Sequence, residues 1–459
     1  MPVQAQQGCD IRIKINGLNY DTLWFGTTYG KRPMPQFYGL RGADGFYHLK
    51  NEAPLPEGMY AFLHKRSAAA SFQFLSVWLV DGQRQFTIET GLNRSGTVTT
   101  VTGSPENELL YQYLGRYEVL NSALEDRAKS WKEAQDEPSF RAYLKVEEEL
   151  ARFQADFIEK NPGTRTAELV RQTQHLLPPG DHEKYADWQA EAEDRHRWHR
   201  SHFFYNMDLG SGDFLKYPLW VDRTDFYFSK LPPPVPDSMI VMIEDILVRL
   251  EPDEEGQRYY LRYILNSISK MSRYRTDEVY VHFVRKYLDG GKADWLGEEA
   301  IKKYREDADR MEPLFVGKKV PNVNFYDKKG QVESIYGIDA PFTLLVFWLF
   351  DCSHCKREMP VIIRLYEKYK GKGLKVMSVC GKSGDVDTLK CWEFAEQMKM
   401  PADWLVVNDP NRRSRFSTLL NVRSYPRMIL LDANKNIVFK QNGEVPEEML
   451  ERELDKIMD

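Results

Sequence analysis

The sequence predicts a multidomain protein with an N-terminal antiparallel β domain, a central all-α domain and a C-terminal α/β domain. A length of 459 residues exceeds what a single core usually supports. The apolar residues first recur with the two-residue period of strands, then with a helical period, and finally in alternating strand and helix patterns. These changes of period place the predicted domains at residues 1–103, 104–311 and 312–459.

The composition argues against a nucleic-acid partner and against a membrane span. Basic residues number 63 and acidic residues 68, which gives a formal net charge of -5 spread along the chain, without a strongly basic face. No apolar run approaches the roughly 18 residues that a transmembrane helix needs. No transmembrane segment is therefore expected in this chain.

The first ten residues contain a trace of a secretion signal. Val3, Gln4 and Ala5 match the small-residue pattern that ends a secretory signal, although the apolar core of such a signal is absent. We expect a signal peptide truncated upstream and hence a periplasmic or otherwise extracytoplasmic location. Lipid attachment at Cys9 is left open.

The first hundred residues carry a strand pattern. Three apolar residues alternate with polar ones at the start: Ile11, Ile13 and Ile15. Asp81-Gly82 lies between strand-like runs at 74–80 and 86–89 and predicts a hairpin turn, and residues 43–45 separate two further runs in the same way. We expect a small antiparallel sandwich or barrel that serves as a structural or partner-binding module.

The middle third carries a helical pattern. One apolar stripe recurs at steps of three and four until residues 161–163 stop it: Tyr143, Val146, Leu150, Phe153 and Phe157. Similar stripes occur at 239–250, 258–271, 276–288 and 300–310. The proline-rich residues 232–236 predict a stiff break between helices.

One helix in this region carries three closely spaced histidines, His196, His199 and His202. Their spacing spreads the imidazoles over roughly a third of the helix circumference. Three arginines interleave and would repel a cation: Arg195, Arg197 and Arg200. Since no carboxylate at suitable spacing completes a shell, we expect a solvated or docking face and no metal site.

From residue 313 onward strand and helix patterns alternate. They cover residues 344–348, 352–369, 374–379, 389–398, 404–407, 428–431, 437–441 and 446–458. The last two strands are joined through the turn-rich residues 432–436. Parallel strands followed by an antiparallel hairpin and a final helix form the thioredoxin arrangement.

The chemistry is predicted at Cys352-Ser353-His354-Cys355, between a buried strand and a helix. Unpaired N–H groups at a helix N-terminus favour the thiolate, so Cys352 is the predicted nucleophile. Cys355, one turn further, is the predicted resolving thiol. A zinc site would need two more ligands at suitable spacing, and Cys380 and Cys391 do not supply them. We expect these two as buried structural thiols, and we expect no cofactor.

The helix after the first cysteine reads C-x-x-C-x-x-E-x-P and resembles that of the extracytoplasmic thioredoxin relatives of the TlpA and ResA kind. The resemblance implies that Glu358 is a catalytic base that takes the proton from Cys355. It also implies a cis proline at Pro426, with Tyr425 presenting its backbone to a substrate peptide. Val346 stands where cytosolic thioredoxins place an acid, so Glu358 has no local competitor.

Two residues beside the cysteines bear on the direction of electron flow. His354 stands where the oxidant DsbA also has histidine, which implies a redox-tuning role toward a more oxidising pair. Asp351 replaces the tryptophan common before the first cysteine, and its charge opposes thiolate formation. The direction therefore stays open.

Parts of the middle third also resemble a known domain. The segments are His202 to Leu209, Pro236-Asp237-Ser238 and Asp277 to His282. They are similar to an uncharacterised helical domain of Bacteroidetes-type thioredoxin-like proteins, which often carry a β domain in front of it. For the first two thirds of the chain this resemblance implies no chemistry.

The sequence thus predicts a thiol-disulfide oxidoreductase that reduces disulfides of extracytoplasmic proteins. Its expected partners are a disulfide-containing protein or small thiol substrate and a membrane or soluble thiol donor. A thiol peroxidase is a first alternative, although Leu349 and Leu345 stand where peroxidases place a hydroxyl residue and a proline. A substrate-binding or assembly protein with secondary redox activity is a second alternative.

Overall fold

The computed structural model describes residues 8–65, 72–91, 99–180, 185–231, 235–268, 275–444 and 447–458. The chain forms two compact units, one of residues 1–231 with 245–259 and the other of residues 232–244 with 260–459. The expected signal segment at residues 3–5 and most of the proline-rich break at 232–236 lie outside the described residues. The division into three domains stays a prediction.

The first unit contains one eight-stranded sheet. Its strands are β1 (Cys9–Asn16), β2 (Thr22–Tyr29), β3 (Arg32–Arg41), β4 (Tyr47–Asn51), β5 (Gly58–Lys65), β6 (Phe72–Leu79), β7 (Gln85–Gly91) and β8 (Thr100–Thr102). They follow the order β6-β5-β2-β3-β4-β1-β7-β8. The alternation predicted at the start is confirmed, because Ile11, Ile13 and Ile15 are all buried.

Pairing within this sheet differs from the prediction. The prediction of a hairpin at Asp81-Gly82 is wrong, because β6 and β7 do not pair with each other. Strand β6 pairs with β5, and β7 pairs with β1 in parallel. The eight strands form one continuous sheet that is not wholly antiparallel, and in the described residues β6 and β8 each pair on one side only. The sandwich or barrel stays a prediction. The hairpin at residues 43–45 is confirmed by the antiparallel pairing of β3 with β4. Local patterns locate strands but do not select their partners.

Between residues 103 and 311, nine helices of at least eight residues follow among the described residues: α1 (Pro105–Ala134), α2 (Glu137–Lys160), α3 (Arg165–Thr173), α4 (Trp188–His202), α5 (Pro218–Lys230), α6 (Pro236–Arg249), α7 (Glu254–Ile268), α8 (Thr276–Phe283) and α9 (Glu298–Met311). The Ser104 side chain caps α1, and α2 ends at Asn161 as predicted. Asn107 of α1 accepts from and donates to the backbone of Trp78, which fixes this helix to β6. No helix in the described part of the chain is both long and apolar enough to span a membrane.

The second unit contains a seven-stranded mixed sheet. Its strands are β9 (Asn324–Tyr326), β10 (Val332–Ser334), β11 (Phe342–Trp348), β12 (Leu374–Cys380), β13 (Leu405–Asn408), β14 (Arg427–Leu431) and β15 (Ile437–Asn442), and its helices are α10 (Ser353–Tyr369), α11 (Asp385–Gln397), α12 (Phe416–Leu419) and α13 (Glu447–Met458). The order is β10-β9-β13-β12-β11-β14-β15, with β11, β12 and β13 parallel and β14 and β15 antiparallel. The thioredoxin arrangement is confirmed. The sequence pattern missed β9 and β10, which are only three residues long.

Strand β11 is the centre of this unit because both of its faces are buried. Val346 and Trp348 pack in one core with α10 and α13, while Leu345 and Phe347 pack in the core on the other face of the sheet. A strand buried on both faces has an almost continuous apolar sequence, which made it easy to recognise. The strand ends four residues before Cys352 and therefore fixes the position of the cysteine pair.

Helical residues of the same unit pack on this sheet through buried charges. The Lys440 ammonium on β15 bonds to Asp277 of α8 and to the carbonyl oxygen of Leu314. Asp307 of α9 accepts from Arg423 at 2.7 Å. Lys440 of the sheet and Arg423 of the loop before β14 thus form ion pairs with the helices at 276–311, each across a sequence separation of more than one hundred residues.

Candidate active site

The two cysteines lie at the start of α10. Cys352 is the N-cap residue, and its Sγ accepts a hydrogen bond from the backbone N–H of Cys355 at 3.2 Å. Both are free thiols, Cys352 half-buried and Cys355 only 1% exposed. The accessible sulfur is therefore the one that receives the helix N–H group, which suits a nucleophile.

Tyr425 and Pro426 lie beside the first sulfur. The Cys352 thiol points to the backbone carbonyl oxygen of Tyr425 at 3.7 Å, and the Tyr425–Pro426 peptide bond is cis, as predicted. The Tyr425 ring covers the backbone of Gly381, where an added Cβ would come within 2.3 Å of the phenol oxygen. Gly381 follows β12 and donates its N–H to the carbonyl of Trp348 at 2.8 Å.

Glu358 lies one turn beyond Cys355 on α10 and is 4% exposed. A carboxyl group at this position is on the inner face of the helix, with the resolving thiol and not with the solvent. Glu358 is therefore not a surface glutamate. The assignment of Glu358 as a base stays a prediction.

The environment of Cys355 favours the protonated thiol over the thiolate. Burial raises the pKa of its thiol well above the ordinary value of 9.0, and its contact with the Cys352 sulfur acts in the same direction. Cys355 is thus buried and keeps its proton at neutral pH, whereas Cys352 is partly exposed.

Comparison with known proteins identifies this part of the chain. Residues 315–458 match the Redoxin family. The C-terminal third of the chain is a thioredoxin-like thiol-disulfide oxidoreductase domain. It is similar to the thiol-disulfide oxidoreductase ResA of Bacillus cereus, at 29% identity over 148 residues, 32% of this chain and 80% of the relative. ResA of Geobacillus kaustophilus is 28% identical over 142 residues, 31% of this chain and 78% of the relative.

Two of the matching solved structures have lower sequence identity. A thioredoxin-like protein from Bacteroides caccae aligns with 61% of this chain and 98% of its own, at 17% identity and a TM-score of 0.46. The thioredoxin domain of a thiol-disulfide oxidoreductase from Bacteroides vulgatus aligns with 32% of this chain and 99% of its own, at 24% identity and a TM-score of 0.28.

His354 of the redoxin domain belongs to a surface cluster with Glu444 and Arg357. Its Nδ1 lies 2.9 Å from a carboxylate oxygen of Glu444 and 2.9 Å from Nη2 of Arg357. Nδ1 can donate to Glu444 only when protonated and can accept from Arg357 only when not. Hydrogen bonds from Arg357 and then His354 lower the pKa of Glu444. The sequence pattern missed Glu444, which lies 90 residues away in the chain.

The negative charge predicted to oppose the thiolate is compensated. Lys382 donates to the Asp351 carboxylate at 2.7 Å, and this hydrogen bond lowers the pKa of Asp351. The ammonium also lies over the Phe350 ring, 5.4 Å from its centroid. Lys382 follows β12, and only the parallel pairing of β11 with β12 brings it next to residue 351.

The expectation for Cys380 and Cys391 is wrong in one respect. They are buried, but they form a disulfide with an S–S distance of 2.04 Å and are not free thiols. Cys380 ends β12 and Cys391 lies on α11, and their Cα atoms are 6.1 Å apart, within the usual range for a disulfide. A separation of eleven residues did not reveal this because the loop between strand and helix reverses the chain direction.

The expectation of a solvated or docking face at His196, His199 and His202 stays a prediction, but the structure gives these residues closer neighbours. All three line a cavity among helices of the first unit, so the face is not simply solvated. His199 lies with Glu147 and His175 and not with the other two histidines. The sequence argument considered ligands along one helix, whereas Glu147 comes from α2 and His175 from the segment after α3.

Proposed function

We propose that the chain reduces disulfide bonds of extracytoplasmic proteins through Cys352 and Cys355. The observation that carries the proposal is the environment of Cys352. This sulfur is half-buried, receives a helix N–H group and lies beside the Tyr425 carbonyl oxygen. Similarity to ResA proteins supports the same chemistry.

The first step is attack of the Cys352 thiolate on a substrate disulfide. A bond forms between Cys352 and one substrate sulfur, and the other substrate sulfur leaves as a thiolate and takes up a proton. The substrate chain lies along Tyr425 and Pro426, where the backbone carbonyl of Tyr425 accepts a hydrogen bond from a substrate N–H group. His354 tunes the redox potential of the pair from the surface of the site.

The second step releases the product. Glu358 removes the proton from Cys355, and the resulting thiolate attacks the Cys352 sulfur of the mixed disulfide. The bond between Cys352 and the substrate sulfur breaks, and that sulfur leaves as a thiolate and takes up a proton. Cys352 and Cys355 are thereby oxidised to a disulfide, and the substrate disulfide is reduced to two thiols. An external dithiol, from a soluble or membrane donor, reduces this disulfide and restores both thiols.

The Cys380–Cys391 disulfide supports the proposed location. Structural disulfides persist in oxidising compartments and are rare in the cytosol of mesophiles. A protein that carries one and also works as a reductase needs a donor that delivers electrons to Cys352 and Cys355.

A trapping experiment tests the proposal. In a Cys355→Ser variant the second step is blocked, so protein substrates accumulate as mixed disulfides on Cys352 and are identified by mass spectrometry after non-reducing electrophoresis. The matched control is the Cys352→Ser, Cys355→Ser double variant, which should trap nothing. An absence of trapped proteins in the single variant would exclude protein substrates.

The reduction potential of the pair decides the direction. A value near about -270 mV, as in thioredoxin, supports a reductase, and a value near about -120 mV, as in DsbA, means an oxidant. The measurement is an equilibrium titration against glutathione or dithiothreitol buffers. Retention of full cellular function by a Cys352→Ala, Cys355→Ala variant would favour the substrate-binding or assembly alternative.

A further inference from the structure

A second cluster of chemically active side chains lies in the first unit, in a cavity of about 540 Å³ among helices α1, α2, α4 and α5. Cavities of this size between helices commonly hold small ligands. Aromatic side chains form much of the wall, including Trp131, Phe140 and Phe226. Glu147, His175 and His199 also line it, and each offers one ligand atom within 4.8 Å of the other two.

The distances in this cluster are those of metal co-ligands. Oε1 of Glu147 lies 3.1 Å from Nε2 of His175 and 3.1 Å from Nε2 of His199. In a tetrahedral or octahedral site with metal–ligand bonds of about 2.1 Å, neighbouring ligand atoms are roughly 3.0–3.4 Å apart. Nε2 of His199 is fully enclosed and yet satisfies no hydrogen bond among the described residues. It faces the carboxylate without the alignment of a donor.

The surrounding contacts hold these groups in place. The side chain of Gln154, which is 1% exposed, accepts from the backbone N–H of His175 at 2.8 Å and donates to the hydroxyl of Tyr113 at 2.8 Å. Tyr143 donates to Oε1 of Glu147 at 2.9 Å, and Arg195 binds the other oxygen. Groups that bond to ligating side chains orient them toward a metal.

The Glu147 carboxylate is placed as a ligand. Its side chain is completely buried, and His175 and His199 both face its Oε1. Two imidazoles and one carboxylate form a ligand set used by zinc and non-haem iron enzymes.

We propose that Glu147, His175 and His199 bind one divalent transition-metal ion, with the remaining coordination positions open to the cavity. Two guanidinium groups, of Arg195 and Arg223, line the same cavity. Arg223 makes no ion pair within the described part of the chain; it donates to the carbonyl of Phe203 at 3.3 Å. The added positive charge of a metal is therefore best balanced by an anionic group at an open position.

Cobalt(II) titration tests this site in the full-length protein. The Cys352→Ser, Cys355→Ser variant serves as the parent, because it removes thiolates that would also bind the metal. The expected result is one Co²⁺ per chain with visible d–d absorption bands and no thiolate charge-transfer band. His199→Ala should weaken binding at least tenfold. The matched control is His196→Ala on the same helix, which should bind as the parent does.

Thermal unfolding with Zn²⁺ provides the second measurement, for which correct folding of each variant is first checked by circular dichroism. Zn²⁺ should raise the melting temperature of the parent and of His196→Ala, and should leave that of His199→Ala unchanged. The proposal is overturned if the parent takes up no stoichiometric Co²⁺, or if His199→Ala binds it equally well. The cluster is then an ion-pair network that neutralises Glu147.

Discussion

The backbone carbonyl oxygen of Tyr425 lies 3.7 Å from the sulfur of Cys352, while the ring of the same tyrosine covers Gly381. Tyr425, which borders Cys352, therefore packs its ring against a glycine, where no side chain is in the way. This arrangement connects the end of β12 to the proposed substrate-binding backbone and can be tested without changing any sulfur.

Gly381→Ala should displace the Tyr425 ring, because the new Cβ would lie 2.3 Å from its oxygen and 2.6 Å from Cζ. We expect at least a tenfold loss in the rate of reduction of a protein disulfide, and a change of less than threefold in the reaction of Cys352 with a small aromatic disulfide. The control is Gly371→Ala, where a Cβ meets nothing within 4 Å. Equal effects of the two substitutions would contradict the role given to Tyr425.

Glu358→Gln should slow resolution of the mixed disulfide on the order of 100-fold, since general bases contribute about that much or more. The reduced protein is mixed with one equivalent of an aromatic disulfide in a stopped-flow instrument. Attack by Cys352 releases a first aromatic thiolate, and attack by Cys355 on the mixed disulfide releases a second. Only the second should slow. Glu367→Gln, an exposed glutamate on the same helix, is the control. A slower first phase would assign Glu358 to Cys352 instead.

Cys355 should resist alkylation in a Cys352→Ser variant. Because burial raises the pKa of its thiol above 9.0, the proton stays on the sulfur at neutral pH, and the rate should still be rising at pH 9. Peptide mass spectrometry after iodoacetamide treatment measures this rate. In denaturant the same cysteine should react like any free thiol. A rate that levels off near pH 7 would mean that Cys355, too, is an activated thiol.

Glu444→Gln should make the cysteine pair more oxidising. The carboxylate of Glu444 lies beside His354 and balances the charge of Arg357 at the start of α10, and its loss leaves more positive charge near the Cys352 thiolate. We expect less than a tenfold change in the equilibrium constant with glutathione, because the groups are exposed, and a smaller change at high salt. His354→Ala should shift the constant in the opposite direction. Shifts of the same sign would argue against this charge balance.

Asp277→Asn should destabilise the second unit by about 3 kcal/mol, because it leaves the buried Lys440 ammonium without its carboxylate. Burial lowers the pKa of Lys440. The folded state then binds fewer protons than the unfolded state, so the deficit should shrink as pH rises from 7 toward 10. Urea unfolding measures both effects. Glu396→Gln breaks the exposed pair with Lys328 and should change stability by less than about 0.5 kcal/mol.

The sequence predicted those parts of the redoxin domain that depend on local order. Cys352 at a helix start and the buried strand before it follow from patterns within about twenty residues. The cis bond at Pro426 followed from a resemblance and is present. These features need no knowledge of which strands pair.

The site features that the sequence missed depend on contacts between separate strands and helices. Lys382 meets Asp351 only because β11 and β12 are parallel neighbours. Cys380 meets Cys391 only because α11 folds back on β12. Glu147 reaches His199 from another helix. The arginines on α4 argued against a metal site, but the carboxylate that the argument lacked, that of Glu147, lies on α2.

The parallel contact between β1 and β7 determines the order in which the first sheet can be completed during synthesis. Strand β1 lies between β4 and β7, so after residue 51 has left the ribosome β1 still has one open edge. That edge stays unpaired until residues 85–91 emerge, because none of the earlier strands in the described residues occupies it. Non-local pairing of this kind slows folding and exposes hydrogen-bonding groups to other chains. The nascent N-terminal region therefore passes through an aggregation-sensitive interval of about thirty-five residues of elongation, which a holdase chaperone would be expected to shorten or protect.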